Sequence, residues 1–253
     1  MAAEPEVIAV IPARFASVRL PGKPLLDIAG KPMIRHVCER AALSRLVTRV
    51  VVATDHPSIE EVVRKFGVEA VMTPPGLPSG TDRVAHAARS LQGDPILVNV
   101  QGDEPLISPE TIDAAVRTLV GDRSVSVGTV ASSALGPGEM QNPDIVKVVM
   151  DLNGNALYFS RAPVPYIRGE GSAAAVYRHI GLYAYRKSFL EEFTAWAPTP
   201  LEEAERLEQL RILEHGRSIR VTVTASAAVA VDTPADLELV RALMAKQTES
   251  QSG

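Results

Sequence analysis

The chain has 253 residues, 46% of them apolar, and its 26 lysines and arginines against 30 acidic side chains leave a formal net charge of −4. That balance predicts one globular domain over 1–253 and excludes both a disordered chain and a general pull toward nucleic acid or anionic lipid, so an anionic ligand has to be caught by a local arrangement. The single cysteine, Cys38, excludes an intrachain disulfide and a thiolate metal cluster, and the five histidines fall at no metal-ligand spacing.

The first apolar run, 7–11, predicts a buried strand. It is too short for a signal core and follows Glu4 and Glu6, so the expected location is cytoplasmic. No uncharged stretch predicts membrane insertion, because the longest, 124–138, is broken by glycine, serine and proline. The strand runs into PARFASVRLPGKPL (12–25), where 7–26 carries Arg14, Arg19 and Lys23 and no acid. Helical spacing of apolar residues follows at 32–43, with Cys38 on the stripe of Ile34, Ala41 and Ala42. A strand at 50–54 precedes a helix that opens at Pro57 and stops at Gly67. Ser79-Gly80-Thr81-Asp82-Arg83 leads into an alanine-rich helix, and the strand 96–100 ends on Gln101-Gly102-Asp103-Glu104-Pro105. A helix from Ser108-Pro109 to 120 and strands at 125–130 and 145–150 complete an alternation that predicts an α/β fold, a mostly parallel sheet with right-handed crossovers.

Beyond Met150 the pattern changes. Asn153-Gly154 is a hairpin signal, followed by a strand at 156–160, a Pro/Gly-rich loop and an aromatic strand at 179–185, which together predict an antiparallel extension over approximately 151–200. Tyr158, Phe159, Tyr183 and Tyr185 in it suit a buried interface. Thr199-Pro200-Leu201-Glu202 and Thr233-Pro234-Ala235-Asp236 each combine a capping box with proline at the first helical position.

The loop after the first strand is neither of the common nucleotide motifs. Gly30-Lys31 is followed by Pro32 where a Walker A loop needs Ser or Thr, and Pro12-Ala13-Arg14 stands where a dinucleotide fingerprint needs glycines. Arg14, Arg19 and Lys23 are instead side-chain charges that suit a polyphosphate at the carboxyl edge of a parallel sheet, or else scattered cations of a solvated loop. Asp103 and Asp232, each read at a strand-to-helix junction, are turn or capping residues taken singly and a candidate cation pair taken together. By the same reading Ser79 to Arg83 is either a ligand loop or a capped helix start, and His179 a structural strand histidine or a ligand contact.

Seven segments in order, PARFASVRLPGKPL (12–25), SGTDR (79–83), VNVQGDEP (98–105), ALYFSRAPVP (156–165), YRHIGLYAYR (177–186), PLEEAERLEQLR (200–211) and VDTPADL (231–237), closely resemble the 3-deoxy-manno-octulosonate (Kdo) cytidylyltransferases, or CMP-Kdo synthetases. The resemblance implies a nucleotidyltransferase-type, Rossmann-like sheet and the reaction of CTP with Kdo to give CMP-Kdo and diphosphate, for lipopolysaccharide biosynthesis. It implies Mg2+ held by Asp103 and Asp232, and Lys23, Asp103 and Asp232 as the catalytic residues, with Lys23 on the triphosphate. It also implies CTP contacts from Pro12, Ala13, Arg14, Arg19, Lys23, Ser79, Gly80, Arg83 and Gln101, and sugar contacts from Arg161, His179, Tyr185, Glu208 and Gln209. A homodimer formed through the extension is a further implication. The alternatives are a related sugar-acid cytidylyltransferase acting on amino-Kdo or sialic acid, and a non-catalytic nucleotide-binding protein.

Overall fold

The structure is a computed structural model and describes residues 5–16, 20–133, 135–136, 138–169, 175–225 and 229–251, with side chains as far as 246. Its first half alternates strands and helices. In chain order come β1 (Val7–Ala13), a 3-10 turn (Lys23–Leu25), the small strands β2 (Asp27–Ile28) and β3 (Lys31–Pro32), α1 (Met33–Ala42), β4 (Arg49–Thr54), α2 (Pro57–Lys65) and β5 (Glu69–Met72). Next are α3 (Gly80–Ala88), β6 (Ile96–Asn99), α4 (Pro109–Gly121), β7 (Val127–Ser132), β8 (Lys147–Met150), β9 (Ala156–Ser160) and β10 (Tyr177–Arg186). The last part is helical apart from one strand: α5 (Lys187–Thr194), α6 (Pro200–Glu205), α7 (Leu210–Glu214), β11 (Arg220–Thr224) and α8 (Pro234–Gln251).

The main sheet runs β11-β7-β10-β6-β1-β4-β5, with β8 and β9 added beside β10. β1 pairs in parallel with β4 and β6, β4 with β5, and β11 with β7, whereas β10 is antiparallel to both β6 and β7. This is the mostly parallel sheet with an antiparallel extension that the alternation predicts. Both faces of β1 are buried: Val7, Ala9, Ile11 and Ala13 pack with α1, α2 and α4, while Ile8 and Val10 pack with α3 and α5. A strand covered on two sides needs apolar residues at every position, which is why β1 reads as a continuous run. A third, smaller core joins the two ends of the chain, Leu20, Ile28 and Met33 meeting Val231, Leu237 and Val240.

The structure corrects several expectations. The run at 145–150 does not continue the parallel alternation; β8 is antiparallel to β9 and β10, because the Asn153-Gly154 hairpin turns the chain back on itself. Asp151 builds that turn, its carboxylate accepting from the backbone N–H of Asn153 and Asn155 at 2.8 Å, with Gly154 at φ 79°. The aromatic residues read as interface belong to the chain's own core: Phe159, Tyr183 and Tyr185 are buried against α5 and α7, leaving Tyr158 partly buried. Short elements without a long periodic signature, β5, β11, α5 and α7, were not predicted. Among the described residues no helix is long and apolar enough to cross a membrane.

Candidate active site

The parallel strands point their carboxyl ends at a cavity of about 530 Å³, lined on one side by Pro12 and Ala13, which end β1, by Arg14 directly after them, and by Lys23. Ser79, Gly80 and Arg83 of α3 and its cap line another wall, and Gln101 to Asp103 after β6 form the floor with Asp232. Every expected nucleotide contact within the described residues therefore borders this one space, as do both expected metal ligands; Arg19 lies outside the described residues.

The cationic loop is pinned through Phe15. Its backbone N–H donates to Asp55 Oδ1 at 3.2 Å, its ring stacks on His56 with centroids 4.0 Å apart, and its carbonyl accepts from the N–H of Gly22 at 3.2 Å. Gly22 closes this loop at φ 65°, a left-handed conformation that costs glycine little. Asp55 Oδ2 accepts from the guanidinium of Arg83 at 3.0 Å, so one carboxylate ties the loop after β1 to α3. Asp55 went unnoticed in the sequence; its place directly after the apolar run of β4, like that of Asp103 beyond β6, is the signal that finds it.

Asp103 and Asp232 reach each other from far apart in the chain. The Lys23 ammonium lies between them, 2.7 Å from Asp103 Oδ2 and 3.1 Å from Asp232 Oδ1. Close approach of the floor depends on Gly102, where an added Cβ would stand 2.7 Å from the Pro12 carbonyl oxygen. Asp232 is not at the end of a strand as expected. Residues 229–232 lie outside any strand, and the segment is fixed by the Val231 N–H donating to the Asp103 carbonyl at 2.9 Å. The capping box then operates as read: Asp236 Oδ2 accepts from the N–H groups of Asp232 and Thr233 at 3.0 and 2.8 Å, and the Thr233 hydroxyl beside it holds the Asp236 carboxyl below its usual range.

Behind Ser79 lies a buried polar cluster. Glu208 accepts from the hydroxyls of Ser79 and Thr81 at 3.0 and 2.8 Å, and burial raises its pKa. Asn99 donates to Thr81 Oγ1 at 3.3 Å, and Gln101 donates to the carbonyl of Gly181 at 3.0 Å, joining the cavity floor to β10. His179 meets Thr129 Oγ1 at 3.0 Å, and burial lowers its pKa to about 3, so the ring is neutral. Gln209 is buried next to Glu208.

The remaining sugar expectations fare differently. Tyr185 is 2% exposed and its ring stacks between Tyr183 and Phe193, which places it in the core and off the cavity wall. Tyr183, two residues earlier on the same face of β10, has its ring 5.4 Å from that of His179 and a buried hydroxyl without a hydrogen-bond partner, as has Asn99 Oδ1 opposite it in the register. Buried polar atoms are rarely left so, and a ligand is one way to satisfy them. Tyr183 is the functional candidate that sequence reasoning missed: it shares one face of β10 with Tyr185, and only its place along the strand, beside His179 and opposite Asn99, sets it apart. Arg161 is turned away, its guanidinium donating to the carbonyls of Glu205 and Pro143 at 2.7 and 2.9 Å.

A family model described as "Cytidylyltransferase" matches residues 8–219. The 3-deoxy-manno-octulosonate cytidylyltransferase of Anaeromyxobacter sp. (strain K) is 51% identical over 240 residues, covering 94% of this chain and 98% of its own length. That of Geobacter sulfurreducens is 50% identical over 244 residues, covering 92% and 97%. A solved structure of CMP:2-keto-3-deoxy-manno-octonic acid synthetase complexed with CTP superposes with a TM-score of 0.91 at 44% identity, over 96% of this chain and 99% of the other. Likeness of that extent in both sequence and fold places the chain in the cytidylyltransferase family, among the 3-deoxy-manno-octulosonate cytidylyltransferases.

Proposed function

We propose that this chain joins CTP to Kdo, releasing diphosphate and forming CMP-Kdo. The observation that carries the reading is one cavity that has a cationic loop on one wall, two converging carboxylates on its floor and a buried polar cluster beyond Ser79. Triphosphate and sugar acid are both anions, so they approach each other only where positive charge separates them. Arg14 and Lys23 would take the phosphates, and Arg83, held by Asp55, would keep the facing wall in register. His179, neutral, with Tyr183, Glu208 and Gln209, would hold the sugar by hydrogen bonds and orient its anomeric hydroxyl for in-line attack at the α-phosphorus.

Asp103 and Asp232 suit a magnesium ion, and the Lys23 ammonium between them is a positive group already seated at that point. Magnesium takes one or two carboxylates and fills its shell with water and substrate oxygens, so two aspartates are enough protein ligands for it. When bound, the ion supplies neutralisation of the phosphate charge and a lower pKa for the attacking hydroxyl. Arg14 and Lys23 then offset the charge gathering on the departing diphosphate.

We extend the proposal to a cytoplasmic enzyme supplying lipopolysaccharide assembly, working as a homodimer through the extension, where Leu157, Tyr166 and Ile167 are exposed. Incubation with CTP, Mg2+ and either Kdo or N-acetylneuraminate, followed by diphosphate measurement, tests the reaction. Release with Kdo alone is expected. Release with N-acetylneuraminate alone, or with neither, refutes it. Sedimentation at micromolar concentration tests the dimer.

A further inference from the structure

We propose that Lys23 is a resident counter-ion: in the nucleotide-free protein its ammonium fills the gap between Asp103 and Asp232 and keeps a divalent ion out, and the triphosphate opens that gap by drawing the lysine away. The inference rests on the reading of the two aspartates as the magnesium ligands. Three observations support it. The ammonium contacts both carboxylates at once, at 2.7 and 3.1 Å, so it stands where a shared cation has to stand. The lysine side chain is 13% exposed while those of Asp103 and Asp232 are 31% and 48% exposed, so the carboxylates can be reached from solvent and the lysine is the part tucked between them. The same side chain borders the cavity beside Arg14, within reach of a phosphate bound there.

The chemistry explains why the two cations exclude each other. Magnesium sits about 2.1 Å from its oxygen ligands, so an ion on both carboxylates would fall within the space of the ammonium, and like charges that close repel strongly. Lysine suits a temporary post. Its charge is a point on a flexible four-carbon stem, which can rotate from carboxylates to phosphate without moving the backbone, whereas a planar guanidinium would be locked by its paired bonds. Lys23 opens the 3-10 turn behind Gly22, so its backbone is fixed while its side chain swings. Linkage then requires reciprocity: what removes the ammonium favours the metal, and the metal favours the state in which the lysine faces the nucleotide. The lysine thereby guards the acidic pair from idle metal and delivers its charge to the phosphates in one movement.

Binding of Mn2+ to the nucleotide-free protein, followed by the spin-resonance signal of the free ion, tests this without turnover. Lys23→Met, which keeps the stem and removes the charge, should bind Mn2+ at least tenfold more tightly than the unaltered protein, and Asp103→Asn added to it should abolish the gain. Lys23→Gln provides a second neutral variant should the methionine form fail to fold, with far-ultraviolet circular dichroism as the check. Equal or weaker Mn2+ binding by the neutral variants overturns the proposal, as does the lack of binding in every form. Equal binding that is lost on Asp103→Asn removes the counter-ion and leaves the metal site, whereas binding indifferent to Asp103→Asn removes both.

Discussion

Replacing Gly102 by alanine places a methyl carbon 2.7 Å from the Pro12 carbonyl oxygen, 0.7 Å inside the 3.4 Å at which ordinary contact begins. Pro12 cannot give way easily, because β1 is paired through it to Ala53 of β4. The adjustment therefore falls on the turn after β6, and Asp103 moves with it. Since the Asp103 carbonyl accepts from the Val231 N–H, the displacement passes to the segment carrying Asp232. Overpacking of this size costs about 1–3 kcal/mol, or about 2–4 °C in melting temperature for each kcal/mol in a chain of this length. A displacement approaching 1 Å at a reacting centre costs on the order of 100-fold in rate. Diphosphate release under saturating CTP and Kdo should fall by that factor, with a modest loss of stability in urea. Gly76→Ala, where an added Cβ meets nothing within 4 Å, is the control and should change stability by less than about 0.5 kcal/mol. A Gly102→Ala enzyme with turnover within threefold of the parent and an unchanged melting temperature would refute the close approach as the element that sets the floor.

Asp103→Ala and Asp232→Ala should each lower turnover on the order of 100-fold or more while leaving circular dichroism unchanged; near-normal rates in either remove that residue from the metal role. Lys147→Met should cost about 2–5 kcal/mol in urea denaturation, because the fully buried ammonium serves the carbonyls of Asn142, Ile145 and Arg161 at 3.0, 2.6 and 2.6 Å, and methionine leaves all three without a donor. The depressed pKa of His179, about 3, means that the folded protein binds fewer protons there than the unfolded chain between pH 6.5 and 3. Its contribution is complete above pH 6.5 and lost on acidification, at about 2 kcal/mol by pH 5. A His179→Gln variant should show a smaller loss between pH 8 and pH 5, and identical losses would show that the ring is not held neutral.

The sheet was legible because its strands are buried on both faces: β1 and β6 are apolar runs, broken in β6 only by Asn99 at its end, and such runs, alternating with capped helices, have few other arrangements. The nucleotide side of the site was legible for a related reason. Its residues sit just beyond strand ends, where an isolated charge after an apolar run is conspicuous, as with Arg14 and Asp103. What escaped depends on register and on contacts distant in sequence. Tyr183 stands beside His179 and opposite Asn99, whereas Tyr185, two residues further along the same face, meets Phe193, a difference of place along one strand that no periodicity announces. Phe159 read as interface because a large apolar ring on an extension looks the same whether its neighbours come from the same chain or another. The reversal of β8 turned on the two-residue signal at Asn153-Gly154, whose meaning was seen for the strand after it and not for the one before.

The small core that joins the chain's two ends has a consequence for how the protein is made. Every strand of the main sheet lies between Val7 and Thr224, so a chain still being synthesised holds the whole sheet before Asp232 leaves the ribosome. Leu237 and Val240 on α8 then settle against Ile28 and Met33, bringing the second carboxylate of the site, Asp232, to a lysine 209 positions earlier in the sequence. The sheet is complete in the chain before the site is, and a peptide severed between Thr224 and Asp232 would keep every strand while losing the second carboxylate and the α8 residues that cover Ile28 and Met33.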